Sequence, residues 1–122
     1  MAEQPQWEYC DLVIDNALSN RKGWRYDVWV RYFGPGGSRF VSIASCSEGL
    51  GARSGVWSRN PWDEALCLLG SAGWEMVSNQ LAFSNATETD LAWWKRWCTF
   101  KRPVVPGRPV DDVNLAERIK PG

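Results

Sequence analysis

The sequence L-C-L-L-G-S-A-G-W-E-M-V, from Leu66 to Val77, decides how this chain folds. Its first half has the composition of a helix, and its second half becomes strand-like at Trp74. Gly73 is well placed to end the helix, because glycine adopts the left-handed conformation of a helix end without strain. A helix that turns at once into an aromatic strand predicts the main packing contact of a small α+β domain.

The helix begins upstream of this stretch, in the sequence N-P-W-D-E. Asn60 can cap the helix, and Pro61 suits the first helical position, where a backbone N–H would have no partner inside the helix. Asp63 and Glu64 fall in the first turn, where the helix dipole favours negative charge. We therefore predict a helix from Pro61 to about Ser71.

Alternating residues predict antiparallel strands on the N-terminal side of this helix. The first strand is expected from Trp7 to Ile14 and the second from Trp24 to Phe33. Every other residue of the second strand is apolar or aromatic, as in a strand with one side toward a core. The turn G-P-G-G at 34–37 predicts that Arg39 to Ser45 returns as its hairpin partner.

The C-terminal half predicts two further strands. One begins at Trp74. The other is expected in the later part of Leu91 to Arg102, because Trp, Thr and Phe favour strands and Pro103 stops the pattern. Leu91–Trp97 also fits a helix, so its structure stays open. The expected fold is α+β, an antiparallel sheet of about five strands with one main helix packed on one face.

The length of 122 residues fits one domain with a real core. We predict a domain over residues 1–103, with an inserted hairpin and loop at 16–59. Four of the seven prolines fall at or after Pro103, so 104–122 is interpreted as a Pro-rich C-terminal tail with at most a short helical turn.

Composition excludes several kinds of chemistry. The chain has no His, the commonest general base and metal ligand, and its carboxylates show no catalytic pairing. We therefore expect no enzyme, metal or cofactor. The four cysteines form no C-x-x-C pair, which disfavours a clustered zinc site, and Cys10, Cys67 and Cys98 are expected to be buried thiols.

Charge and termini indicate the compartment. Lys+Arg and Asp+Glu number 14 each, so no global field attracts nucleic acid or an acidic membrane. The polar N-terminus M-A-E-Q-P-Q-W-E lacks the apolar core of a secretory signal, and no apolar run reaches the length of a membrane span. We expect a soluble cytoplasmic protein with neither a membrane nor nucleic acid as partner.

Three short motifs, in order, are W-E-Y at 7–9, L-L-G-S-A-G-W-E-M-V at 68–77 and C-T-F-K-R-P at 98–103. Together they resemble the DUF4177 family, small bacterial domains of unknown function. The resemblance covers the first strand and residues 62–103. It implies a small α+β fold and no established activity, and the insert at 16–59 and the tail are longer than the family pattern.

The surplus of aromatic residues predicts association. Nine residues are Trp, and large aromatic residues fall on both sides of the predicted strands, whereas one helix covers only one face of a sheet. We therefore predict a non-enzymatic binding or assembly module, a homo-oligomer or small accessory subunit, that uses the second face. The expected interface residues are Trp29, Arg31, Phe33, Trp93 and Trp97.

Two alternatives from other classes come from charged residues. The Gly/Ser/Arg loop at 46–59 could hold a nucleotide or other anion before the helix, through Arg53, Ser54, Trp57 and Arg59. Its glycines lack the P-loop spacing, and a solvated loop is the plainer interpretation. Similarly, the cations Lys95, Arg96, Lys101 and Arg102 alternate with Trp as in nucleic-acid binders, but a strand with core Trp on one face and solvated cations on the other is the favoured interpretation.

Overall fold

The computed structural model describes residues 6–19, 23–49, 52–53, 60–86 and 91–119, with backbone alone for 17–19, 23–26, 46–49, 52–53, 83–86 and 91–93. The elements are β1 (Trp7–Ser19), β2 (Gly23–Gly34), β3 (Gly37–Gly49), β4 (Ala52–Arg53), α1 (Pro61–Ser71), β5 (Glu75–Ala86), β6 (Leu91–Pro103) and α2 (Leu115–Arg118). In this part of the chain, five long strands and the two-residue β4 form one sheet. The predicted antiparallel sheet with one main helix is confirmed at this level.

The strand order is β4-β3-β2-β1-β6-β5, and every neighbouring pair is antiparallel. β1 and β6 lie in the middle and pair along their whole length, from Trp7 opposite Pro103 to Ser19 opposite Leu91. β6 therefore has hydrogen-bonding partners on both sides. This settles the open question of Leu91–Trp97, which is strand throughout.

The helix α1 has the predicted bounds and the predicted cap. The Asn60 Oδ1 atom accepts hydrogen bonds from the backbone N–H groups of Trp62 at 2.9 Å and Asp63 at 3.3 Å. At the other end, Gly73 has a φ of +88°, and the Trp74 N–H bonds back to the Leu69 carbonyl. The cap of α1 and the turn from α1 through Gly73 into β5 thus follow from the local sequence.

Two predicted irregular segments are shorter than expected. β1 continues to Ser19, and β3 continues to Gly49, where it pairs with β4. The prediction of a loop over 46–59 is wrong for 46–49 and 52–53, and residues 54–59 lie outside the described part of the chain. The reason is tertiary, because the long partner strand β2 supplies a ladder of hydrogen bonds to residues whose own composition favours a loop.

The core lies between α1, one face of the sheet and the C-terminal segment, which we define as residues 104–119. Its buried side chains from the sheet are Cys10, Leu12, Ile14, Val28, Val30, Tyr32, Ile43, Ala44, Cys98 and Phe100, those preceding β5 are Trp62, Ala65, Leu69 and Trp74, and those from the C-terminal segment are Val113, Leu115 and Ile119. The segment that the sequence presents as a tail therefore shares the core with the helix.

The three described thiols differ in exposure. Cys10 and Cys98 are buried as predicted, but the prediction for Cys67 is wrong, because this thiol is exposed. The buried residues Ala65 and Leu69 are four apart on the inner side of α1, which leaves Cys67, midway between them, on the outer side. Burial raises the pKa of both Cys10 and Cys98, and the adjacent Asp11 carboxylate raises that of Cys10 further.

A thiol reagent at about pH 8 should therefore modify Cys67 in the folded protein and leave the two buried thiols unmodified, because only an accessible thiolate reacts. The measurement is mass spectrometry of a Cys46→Ser variant during labelling, which restricts the count to described thiols. We expect one modified thiol in buffer and three in urea. Equal labelling rates for Cys10 and Cys67 in buffer would contradict this assignment.

Candidate association surface

The sheet face opposite α1 carries the candidate site, and we call it the open face. Strand alternation and register place on it Trp7, Tyr9, Asp11, Val13, Asp15, Asp27, Trp29, Arg31, Phe33, Phe40, Glu75, Lys95, Trp97, Thr99 and Lys101. The α1 helix and the buried residues of the C-terminal segment pack on the other face. Among the described residues, the open face therefore has no covering layer.

The aromatic side chains of this face contact one another across strands. The rings of Tyr9 and Phe33, which are directly opposite in the register, stack with centroids 5.6 Å apart and planes 12° apart. The Trp29 ring tilts against Phe40 at 5.1 Å. Phe40 is 61% exposed, and Trp29 is half-buried. These aromatic pairs form a preorganised apolar surface rather than isolated exposed rings.

Two carboxylates of the open face already have hydrogen-bond donors within it. The Trp29 Nε1–H donates to the Asp15 Oδ2 atom at 3.3 Å, and the Thr99 hydroxyl donates to the Asp11 Oδ1 atom at 2.6 Å. A buried polar group is costly mainly when it lacks a partner. Covering these two carboxylates with another molecule would therefore leave neither of them unpaired.

The cations of the open face also pack against its rings. The Lys95 Nζ atom lies 5.6 Å from the centroid of Trp29, and the Lys101 Nζ atom lies 4.4 Å from that of Trp7. With Arg31 these are the described cations of the face, whereas its described carboxylates are Asp11, Asp15, Asp27 and Glu75. The face thus combines both signs without an excess of positive charge.

A shallow pocket of about 250 Å³ lies near the middle of the open face. It is lined by Asp11, Val13, Trp29, Ala82, Lys95 and Trp97. Val13 is buried although it is on the side without a helix, because its neighbours Trp29 and Trp97 on β2 and β6 flank it. The pocket has the size and lining to receive an apolar side chain from a partner.

Four of the five predicted interface residues share this surface. Trp29, Arg31, Phe33 and Trp97 lie on the open face, whereas for Trp93 only the backbone is described, between Ala17 and Ser84 in the register. That they bind a partner stays a prediction.

Trp7, Tyr9 and Phe40 belong to the same surface, although they are not among the predicted interface residues. Trp7 and Tyr9 alternate with the buried Glu8 and Cys10, so their shared side of β1 was visible in the sequence. What was missing was the position of β1 between β2 and β6, which brings them beside the predicted residues.

The predicted anion site falls largely outside the described residues. Arg53 has a described backbone in β4, and Ser54, Trp57 and Arg59 lie in the part of the chain that is not described. The site stays a prediction. Across the described residues, no group of three or more His, Cys, Asp or Glu side chains is arranged to hold a metal ion.

The helix side of the sheet contains a buried ion pair that the sequence did not suggest. Arg102 is 2% exposed, so its interpretation as a solvated cation is wrong. Its Nε atom donates to the Glu8 Oε1 atom at 3.3 Å, and its Nη2 atom donates to the Asp112 Oδ1 atom at 2.8 Å. The same nitrogen reaches the carbonyls of Pro109 and Val110.

The guanidinium carbon of Arg102 lies 4.2 Å from the ring centroid of Trp74. Arg102 thereby joins the sheet, the start of β5 and the C-terminal segment. Its neighbour Arg108 donates to the same Glu8 oxygen at 3.4 Å. Because the described contacts of this cluster are all internal, we assign it to stability rather than to binding.

Comparison with known proteins adds no relative to this description. No protein-family model matches the chain, and no curated protein matches it. Neither described helix is long and apolar enough to cross a membrane. The resemblance to the DUF4177 family therefore stays a prediction.

Proposed function

We propose that the protein is a non-enzymatic assembly module whose open face packs against the open face of a second copy. The observation that carries this proposal is the two aromatic pairs on one uncovered face, beside two carboxylates that are hydrogen-bonded within that face. Two sheets pack face to face at about 10 Å when their side chains interdigitate. The second copy would then cover the open face, and a second apolar layer would form between the two sheets.

The charges of the face support a protein partner over nucleic acid. Binding of a phosphate backbone requires a surplus of Lys and Arg over Asp and Glu, and the described residues of the open face have no such surplus. In a two-fold arrangement each copy presents both signs to the other, which allows cations of one copy to pair with carboxylates of the second. The zero formal charge of the chain also removes long-range repulsion between identical copies.

Light scattering of the purified protein tests the proposal. At tens of micromolar we expect wild type to be larger than the chain mass of 13.8 kDa, and Phe40→Lys to reduce the mass of the assembly by half. Phe40 is 61% exposed, so the substitution should leave the fold intact. The matched control is Val105→Lys, which changes a 44% exposed residue of the C-terminal segment.

A wild-type protein that is strictly monomeric, or a Phe40→Lys variant with unchanged mass, would exclude this function. A titration with a single-stranded oligonucleotide, followed by Trp fluorescence, checks the other class of partner. If the wild type is a monomer and quenching by the oligonucleotide disappears in Phe40→Glu, which removes the ring without adding a cation, the open face binds nucleic acid instead.

A further inference from the structure

We propose that the outer edge of β5 pairs with β5 of a second copy, antiparallel, and joins two sheets into one. This interface is separate from the open face and goes beyond the proposed function. β5 is the end strand of the sheet, and it pairs with β6 from Glu75 to Ala86. In the described part of the chain, no strand pairs with its other edge, which presents a row of backbone donors and acceptors.

The composition of β5 lacks the features that keep sheet edges apart. Its sequence E-M-V-S-N-Q-L-A-F-S-N-A contains no Lys, Arg or Pro, and Glu75 is its one charge. Met76, Val77 and Leu81 are 44%, 47% and 54% exposed. A bulge interrupts the pairing at Val77, but from Ser78 to Ala86 the register is continuous. An edge with a single charge and a continuous register over most of its length is a template for another strand.

By comparison with β5, the opposite edge of the sheet is protected against pairing. β3 carries β4 at its far end and contacts α2. It also bears the charged Arg39, which pairs with Asp111 of the C-terminal segment. A bulge at Ile43 interrupts it near the middle. Charges, bulges and covering elements all oppose edge pairing, so the contrast identifies β5 as the edge available for pairing.

A second copy fits this edge better than a different strand. If Leu81 lies at the two-fold axis, it meets the same apolar residue of the other copy, because directly opposite residues share a face. The two Glu75 carboxylates then lie at opposite ends of the paired strands and do not repel. The edge has no other charge with which to select a chemically different partner.

The same two-fold axis also relates the open faces of the two copies to each other. Antiparallel edge pairing keeps corresponding faces of both sheets on one side, so the two open faces lie side by side on the joined sheet. Stacking of two such dimers through their open faces closes the assembly with four copies, each having one edge contact and one face contact. The two surfaces thus predict one closed tetramer rather than an open array.

Mass measurements on two variants separate the two interfaces. We expect the wild type at four times the chain mass. Leu81→Lys and Phe40→Lys should each have twice the chain mass, and the double variant should have the mass of one chain. An unchanged mass for Leu81→Lys together with a halved mass for Phe40→Lys would overturn edge pairing and leave the proposed function standing. An unchanged mass for Phe40→Lys together with a halved mass for Leu81→Lys would exclude the proposed function and leave edge pairing standing.

Cross-linking tests the position of the axis directly. In a Cys46→Ser, Cys67→Ser background, Leu81→Cys should form a covalent dimer under mild oxidation, because opposite residues of antiparallel strands lie within disulfide range. Phe40→Lys added to this protein should not prevent the dimer. The control is Val105→Cys, at similar exposure. Equal dimer formation by Leu81→Cys and Val105→Cys would overturn the proposal.

Discussion

Replacing Arg102 with Met should lower the free energy of unfolding by about 3–5 kcal/mol, the usual cost of removing one partner from a buried ion pair. The guanidinium satisfies the buried Glu8 carboxylate and two carbonyls of the C-terminal segment, at Pro109 and Val110. Met fills similar volume without supplying donors, so Glu8 would keep only its longer contact to Arg108. Urea denaturation of the two proteins provides the measurement.

Two further substitutions make this prediction specific. Arg96→Met removes an exposed cation from the same strand and should change the stability by less than about 0.5 kcal/mol. Arg102→Lys keeps the charge but loses the planar set of donors, so it should remain clearly destabilised. If Arg102→Met lies as close to wild type as Arg96→Met does, the cluster does not have the structural role assigned to it.

A chain that ends at Pro103 should lose cooperative folding. Val113, Leu115 and Ile119 are nearly fully buried, and burial of each such side chain contributes about 1.5–3 kcal/mol. Their sum is comparable with the whole stability of a small domain, about 5–15 kcal/mol. The truncation also removes the Asp112 carboxylate and the two carbonyls that bind Arg102. Thermal unfolding followed by circular dichroism is the test.

Point variants in the same segment provide the matched control. Leu115→Ala should cost about 2–5 kcal/mol, because Leu115 is 1% exposed and its loss leaves a cavity. Val105→Ala, at a 44% exposed position, should lie within about 0.5 kcal/mol of wild type. A truncated chain that melts cooperatively within a few degrees of the full chain would show that residues 1–103 form the core alone.

Local rules predicted the elements that need only neighbouring residues. The cap at Asn60, the bounds of α1 and the left-handed Gly73 follow from residues within a few positions. The alternation in β2 likewise predicted that Val28, Val30 and Tyr32 are buried. In each case the deciding interaction is short-range, so the sequence pattern contains its full explanation.

The candidate site was predictable in part for the same reason. Trp29, Arg31 and Phe33 alternate on one strand, so their common face was visible without knowing the neighbours. That Phe40 on β3 and Trp97 on β6 join them depends on strand order and on register. Register is determined by the pairing of whole strands and by bulges such as that at Ile43, which no local pattern indicated.

What the sequence alone determined is the helix with its cap and its terminal turn at Gly73, the period of the strands and the class of the fold. What only the tertiary structure decided is the fate of residues whose environment is supplied from far along the chain. Leu91–Trp97 became strand because β1 and β5 flank it. Arg102 became buried because the C-terminal segment folds back and supplies oxygens around a charge that would otherwise need water.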